Sequence, residues 1–134
     1  MTWQAGAAFR CPKIEPSKRH IHFVLCEGLS TDARLVVVNF TTSPAHGCPS
    51  LRVTPSEYVE LTASSSMLAF GHMSTPTPDH LVEAEKSGLL VRAATPVPAL
   101  LLAKIQQSAL ASDETERRTR TLLVARLNPA PPRA

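Results

Sequence analysis

The chain has 134 residues, of which 43% are hydrophobic and 19% charged, with 12 prolines and a formal charge of +3 at neutral pH. That length is about one domain, the apolar content is enough for a core without staples, and so many prolines argue against a bundle of long helices. No stretch approaches the ~18 consecutive apolar residues of a membrane span, because the run near Pro98 stops at Lys104. Charge is uneven: residues 1–52 carry six Lys/Arg against three Asp/Glu, and residues 112–134 carry five against three. Two basic ends favour a polyanion or an acidic partner there. Three cysteines without a C-x-x-C pair, and no charged opening followed by a long apolar run, lead us to expect a reduced, cytoplasmic setting.

In chain order, residues 6–10 read as a short first strand, and Pro12 and Pro16 punctuate a connection that carries Lys13, Lys18 and Arg19. Residues 20–26, His-Ile-His-Phe-Val-Leu-Cys, alternate, so Ile21, Phe23 and Leu25 share one face and His20, His22 and Val24 the other. A turn-rich connection leads into residues 34–43, Arg-Leu-Val-Val-Val-Asn-Phe-Thr-Thr-Ser, an apolar strand buried on both faces that ends in a polar lip. Residues 51–53 and 66–72 read as further strands, and residues 57–61 alternate weakly. Thr77 or Asp79 caps a helix that Gly88 ends, and residues 89–91 suit a last short strand. Pro98 opens the strongest helix, running to about Ala111, with Leu101, Leu102, Ile105 and Ala109 as its apolar stripe. Ser112 begins a second helix-start signal, followed by Arg117, Arg118 and Arg120 and apolar residues up to Leu127. The fold expected is mainly β with α: a small, strongly bent antiparallel β-barrel with a C-terminal amphipathic helix packed on it. Residues 1–127 form its single domain, and residues 128–134, with three prolines in seven positions, form a disordered tail.

Register follows from the core face. If Ile21, Phe23 and Leu25 share it with Val36, Val38 and Phe40, pairing Leu25 with Val36 leaves a reasonable loop. His22 then lies opposite Asn39 and His20 opposite Thr41, which gathers a polar cluster on the other face with Arg19 and Thr42 at its edge.

This order of elements resembles the MazF/PemK (Kid) toxins, small barrel ribonucleases paired with an antitoxin. The similarity spans roughly residues 6–110 and rests on short motifs. Thr41-Thr42-Ser43 resembles the family's threonine-containing strand end, and Arg19 falls where the family's catalytic arginine opens its second long strand. Two features differ: a Gly-Asp-Ile-Trp type opening is absent, and His20 follows Arg19 where the family commonly has proline. The resemblance implies cleavage of single-stranded RNA by a homodimer held inactive by an antitoxin, with no metal or cofactor and no membrane association. Arg19, His20 and Thr41 are then catalytic, and Lys18, His22, Asn39, Thr42 and Ser43 bind substrate.

From the residues alone, a histidine at this lip can take the 2′-hydroxyl proton while Arg19 and the Thr41 hydroxyl stabilise phosphate charge. The same groups also read as an ordinary solvated strand face, or as one covered by the late helix. The same barrel without cleavage, binding a protein or nucleic acid through its polar face and the late helix, is the alternative function, and the 4% aromatic content suits it because base-stacking platforms use aromatics. A metal site from His20, His22, His46 and Cys48 has no zinc-like spacing. Cys26 reads as a small buried residue and Cys11 as a loop thiol. Asp79, His80, Glu83 and Glu85 suit the N-terminal half of a helix by its dipole alone, and Arg117, Arg118 and Arg120 read as either a partner contact or an exposed face offset by neighbouring acids.

Overall fold

The computed structural model describes residues 2–13 and 20–127. Its strands are β1 (Ala8–Arg10), β2 (His22–Cys26), β3 (Val36–Thr41), β4 (Cys48–Val53), β5 (Ser66–Leu68) and β6 (Val91–Arg92). They form one antiparallel sheet in the order β4-β5-β3-β2-β1-β6. β3 sits centrally because its β-branched and aromatic residues suit a two-sided burial, and five of its six positions are buried.

Pairing between β2 and β3 follows the expected register at His22–Asn39, Phe23–Val38 and Val24–Val37. It then slips: Cys26, not Leu25, pairs with Val36. The reason is a bulge that lets two consecutive residues, Leu25 and Cys26, both enter the same apolar cluster. Gln106 Nε2 donates to the Leu25 carbonyl at 2.8 Å, which pairs a backbone group at the bulge.

Both faces of the sheet are covered. On the first, Ile21, Phe23, Leu25, Val36, Val38 and Phe40 join one cluster, closed by Leu101, Ile105 and Ala109 of α2 (Ala99–Ala111) and Leu123 of α3 (Arg117–Leu127). On the second, Val24, Leu35 and Val37 pack with Trp3, Phe9, Leu90 and Leu81 of α1 (Pro78–Lys86). The result is a mixed α/β architecture with helices on either side of an open sheet. The closed barrel expected from sequence is not formed by these strands, since β4 and β6 are the two edges and do not pair. A barrel encloses one face, whereas this sheet buries an apolar cluster on each of two.

Other elements differ in detail. The strand expected over 66–72 stops at Leu68, a 3₁₀ turn occupies Phe70–His72, and Ser74 then pairs back onto Val37. Residues 57–61, weakly alternating in sequence, form turns: the Tyr58 hydroxyl donates to the Thr95 carbonyl at 2.6 Å, and Glu60 accepts from Arg10 and from the Thr95 amide. Thr77 caps α1 by accepting from the His80 amide, and Gly88 ends it at φ +78°. The signal at Ser112 is realised five residues later, at Arg117, because residues 112–116 make a turn in which the Thr115 hydroxyl bonds the Ala109 carbonyl. The tail at 128–134 lies outside the described residues. No helix among the described residues is long and apolar enough to cross a membrane.

One buried cation ties α3 to the sheet. The Arg126 side chain, 3% exposed, donates to the carbonyls of Glu27, Leu122, Asp32 and Arg34. Three of these belong to the β2–β3 connection, whose tip Asp32 and Arg34 also brace with an ion pair at 2.7 Å. Replacing Arg126 by Met keeps volume but strands the carbonyls, so Arg126→Met is expected to cost about 3 kcal/mol, read as a lower urea midpoint.

Candidate functional site

The polar lip lies where β2 begins and β3 ends. Phe40 donates its amide to the Ile21 carbonyl at 2.9 Å, which carries the pairing one step past His22–Asn39 towards His20 and Thr41. His20, His22 and Asn39 are half-buried there. The His22 ring stacks on Phe9, with ring centres 5.3 Å apart and planes 12° from parallel, which fixes its orientation from the buried side. Phe9 in turn meets Trp3 edge-on, and the Arg92 guanidinium lies over Trp3 at 3.7 Å while bonding Glu85. Asn39 Nδ2 donates to the Phe40 carbonyl at 3.1 Å. Lys18 and Arg19 lie outside the described residues.

Thr41 departs from the expected arrangement. It is 4% exposed, and its hydroxyl accepts the Ser43 amide at 3.1 Å. Its pairing with buried Met67 of β5 explains this: the strand end is covered by a neighbour that the sequence did not place beside it. Thr41 therefore shapes the turn, while Thr42 stays exposed and Ser43 half-buried. Cys11, read as a loop thiol, packs against the second-face cluster. The pairing of Phe9 with His22 puts it at the lip end of the sheet, a proximity that only the β1–β2 pairing makes.

Other candidates separate. Among the described residues, no three or more His, Cys, Asp or Glu side chains gather as a metal-binding group, so His20, His22, His46 and Cys48 do not combine. Cys48 is buried and contacts the Ser50 hydroxyl at 2.9 Å. Glu85 is taken by Arg92 at 2.8 Å and Glu83 lies 3.9 Å from Lys86, so each of these two acids faces a cation. Arg117 and Arg118 are exposed, but Arg120 donates to the Ser112 carbonyl and holds the turn before α3.

Two cavities of about 360 and 380 Å³ lie at the opposite end of the β2–β3 hairpin and share Glu27, Gly28 and Leu29. Neither is near the polar lip. Arg126 lines the first but is already spent on carbonyls, and the second is walled mainly by apolar residues such as Trp3, Leu35 and Val82. The lip, a surface site at the end of two strands, carries more chemistry than either.

Cys26 lines the first cavity without being a nucleophile. Burial pushes its thiol up to about 11 from an ordinary 9.0, with the Arg126 charge pulling it only part of the way back. Between those two values the unfolded chain ionises this thiol while the folded chain keeps it protonated. Unfolding free energy is therefore expected to fall as pH rises from 9.0 to about 11, and to fall less in Cys26→Ala, measured by urea titration across that window.

No family profile, no curated protein and no solved structure matches this chain.

Proposed function

We propose that this chain is a MazF/PemK-like endoribonuclease that cuts single-stranded RNA without a metal, using the polar lip of its two central strands. The single observation that carries the reading is the pairing of His22 with Asn39, continued by the bond from the Phe40 amide to the Ile21 carbonyl, which leaves His20 two positions before the first residue of β2 and next to Lys18 and Arg19 in sequence. With the chain entering β2 in extended form, alternate residues such as His20 and His22 lie roughly 7 Å apart, a spacing that straddles one phosphodiester. His20 takes the proton of the 2′-hydroxyl, and the 2′-oxygen attacks the adjacent phosphorus. The bond to the 5′-oxygen breaks, and that oxygen receives a proton from His22. Arg19 stabilises the charge that builds on the phosphate. Asn39 offers its amide to the RNA beside His22, Lys18 adds attraction to the backbone, and Thr42 and Ser43 extend the contact.

In this reading the open sheet serves as the scaffold that the toxin family bends into a barrel, and the chain works as a homodimer restrained by an antitoxin. Thr41 supports the turn and does not touch phosphate. That reassignment is also what favours a second reading, in which the lip binds RNA or a protein partner and leaves it uncut: a hydroxyl the family uses in chemistry is here buried and bonded to a backbone amide.

A cleavage assay on single-stranded RNA in excess chelator separates the two. Arg19→Ala and His20→Ala are each expected to lower the rate about a hundredfold, a loss of about 3 kcal/mol in transition-state stabilisation, with unfolding midpoints unchanged. Undiminished cleavage in both variants rejects the site. Wild-type protein that binds RNA in a salt-dependent way but never cuts it establishes the second reading.

A further inference from the structure

His46 and His72 are 26 positions apart in sequence, yet their rings meet with centres 5.0 Å apart and planes at 80°. Neither residue belongs to the proposed cleavage site. Both side chains are exposed, and both stand on backbone tied to the sheet. His46 is held by a turn in which its own amide and that of Gly47 donate to the Ser43 carbonyl, at 3.1 and 2.9 Å. His72 sits in the 3₁₀ turn, which is pinned on either side to β3: Ala69 donates to the Asn39 carbonyl before it, and Ser74 and Val37 exchange amide bonds after it, at 2.9 and 2.8 Å. Gly47 makes the approach possible. A β-carbon there would lie 2.7 Å from the β-carbon of buried Met67, so any larger residue pushes the His46 turn off β5.

The geometry points to a two-histidine site for a divalent transition-metal ion, with Cu²⁺ held most tightly and Ni²⁺ and Zn²⁺ less so. Imidazole nitrogen binds such ions at roughly 2 Å, which puts each ring centre roughly 3 Å from the ion and two adjacent ligand rings roughly 4.5 to 5.5 Å apart. The observed 5.0 Å lies inside that span. The rings now meet edge to face, and turning a nitrogen of each towards a shared point needs only side-chain rotation, which is fast for exposed residues. With both backbones already anchored, little order is lost on chelation, and water fills the remaining positions. Imidazole donors follow the general order in which Cu²⁺ exceeds Ni²⁺ and Zn²⁺. Because the ion joins the loop after β3 to the turn after β5, binding also stabilises the fold.

The test is calorimetric titration of the metal-free full chain with CuCl₂, and separately with ZnCl₂, alongside thermal unfolding. One site per chain is expected. Its affinity should drop roughly tenfold or more in His46→Ala and in His72→Ala, fall in Gly47→Ala, and stay unchanged in His80→Ala and in His22→Ala. Metal should raise the unfolding temperature of wild-type protein and leave that of His46→Ala and His72→Ala where it was. Equal affinity across all variants, no binding by wild type, or a loss confined to His22→Ala overturns the assignment. Circular dichroism of each variant separates a lost ligand from a lost fold, and if Gly47→Ala unfolds, the two exposed histidine variants still decide the matter. The result is independent of whether the protein cleaves RNA, which the chelated assay reads by itself.

Discussion

A strand pair buried on both faces is the constraint that the rest of this structure satisfies. β2 and β3 carry apolar residues on either side of their backbone, so no face can be left to water and no amide or carbonyl can go without a partner. β1 takes the free edge of β2, and β5 takes only the end of β3. The rest of that edge is served by Ala69, Ser74 and Pro76, which meet Asn39, Val37 and Leu35 in turn. The 3₁₀ turn between Ala69 and Ser74 is thus an excursion from a ladder that resumes, and Phe70 uses it to reach the first-face cluster.

Covering both faces also explains the placement of the helices. α2 and α3 close the first face and α1 the second, each through few residues, so long-range ties supplement the packing. Arg126 is the principal one. The buried guanidinium is tolerated because four carbonyls accept from it and the Asp32 carboxylate, which the Arg34 guanidinium holds well below the usual range, pairs with it at 3.7 Å. The Tyr58, Glu60, Arg10 and Thr95 group does the same for the segment before β5, where the sheet edge alone offers nothing to hold it.

The polar lip is what remains when these demands are met. Its groups lie where β2 starts and β3 finishes. There a histidine is held by an aromatic stack from beneath and a strand partner beside it. The turn after β3 links this lip to the His46 and His72 pair, since Ser43 both bonds the Thr41 hydroxyl and anchors the His46 turn.

Alternation along residues 20–26 and 34–43 was enough to establish two adjacent antiparallel strands, their shared core face and the pairing of His22 with Asn39, because a period of two leaves few registers that bury every apolar residue. Capping chemistry likewise announced α1 at Thr77 and its end at Gly88, and the stripe of Leu101, Ile105 and Ala109 announced α2. These are local signals, and local physics suffices for them. What only the tertiary structure decided were matters of competition between distant residues. The bulge at Leu25 and Cys26 exists because both side chains find room under α2. Thr41 is buried because Met67 lies beside it, and the sheet is open, with β4 and β6 as its edges and with α1 and Trp3 packed on its second face. His46 reaches His72 only through the turn that interrupts the ladder on β3. None of these follows from the residues next to them in the chain, since each depends on which remote surface had to be covered.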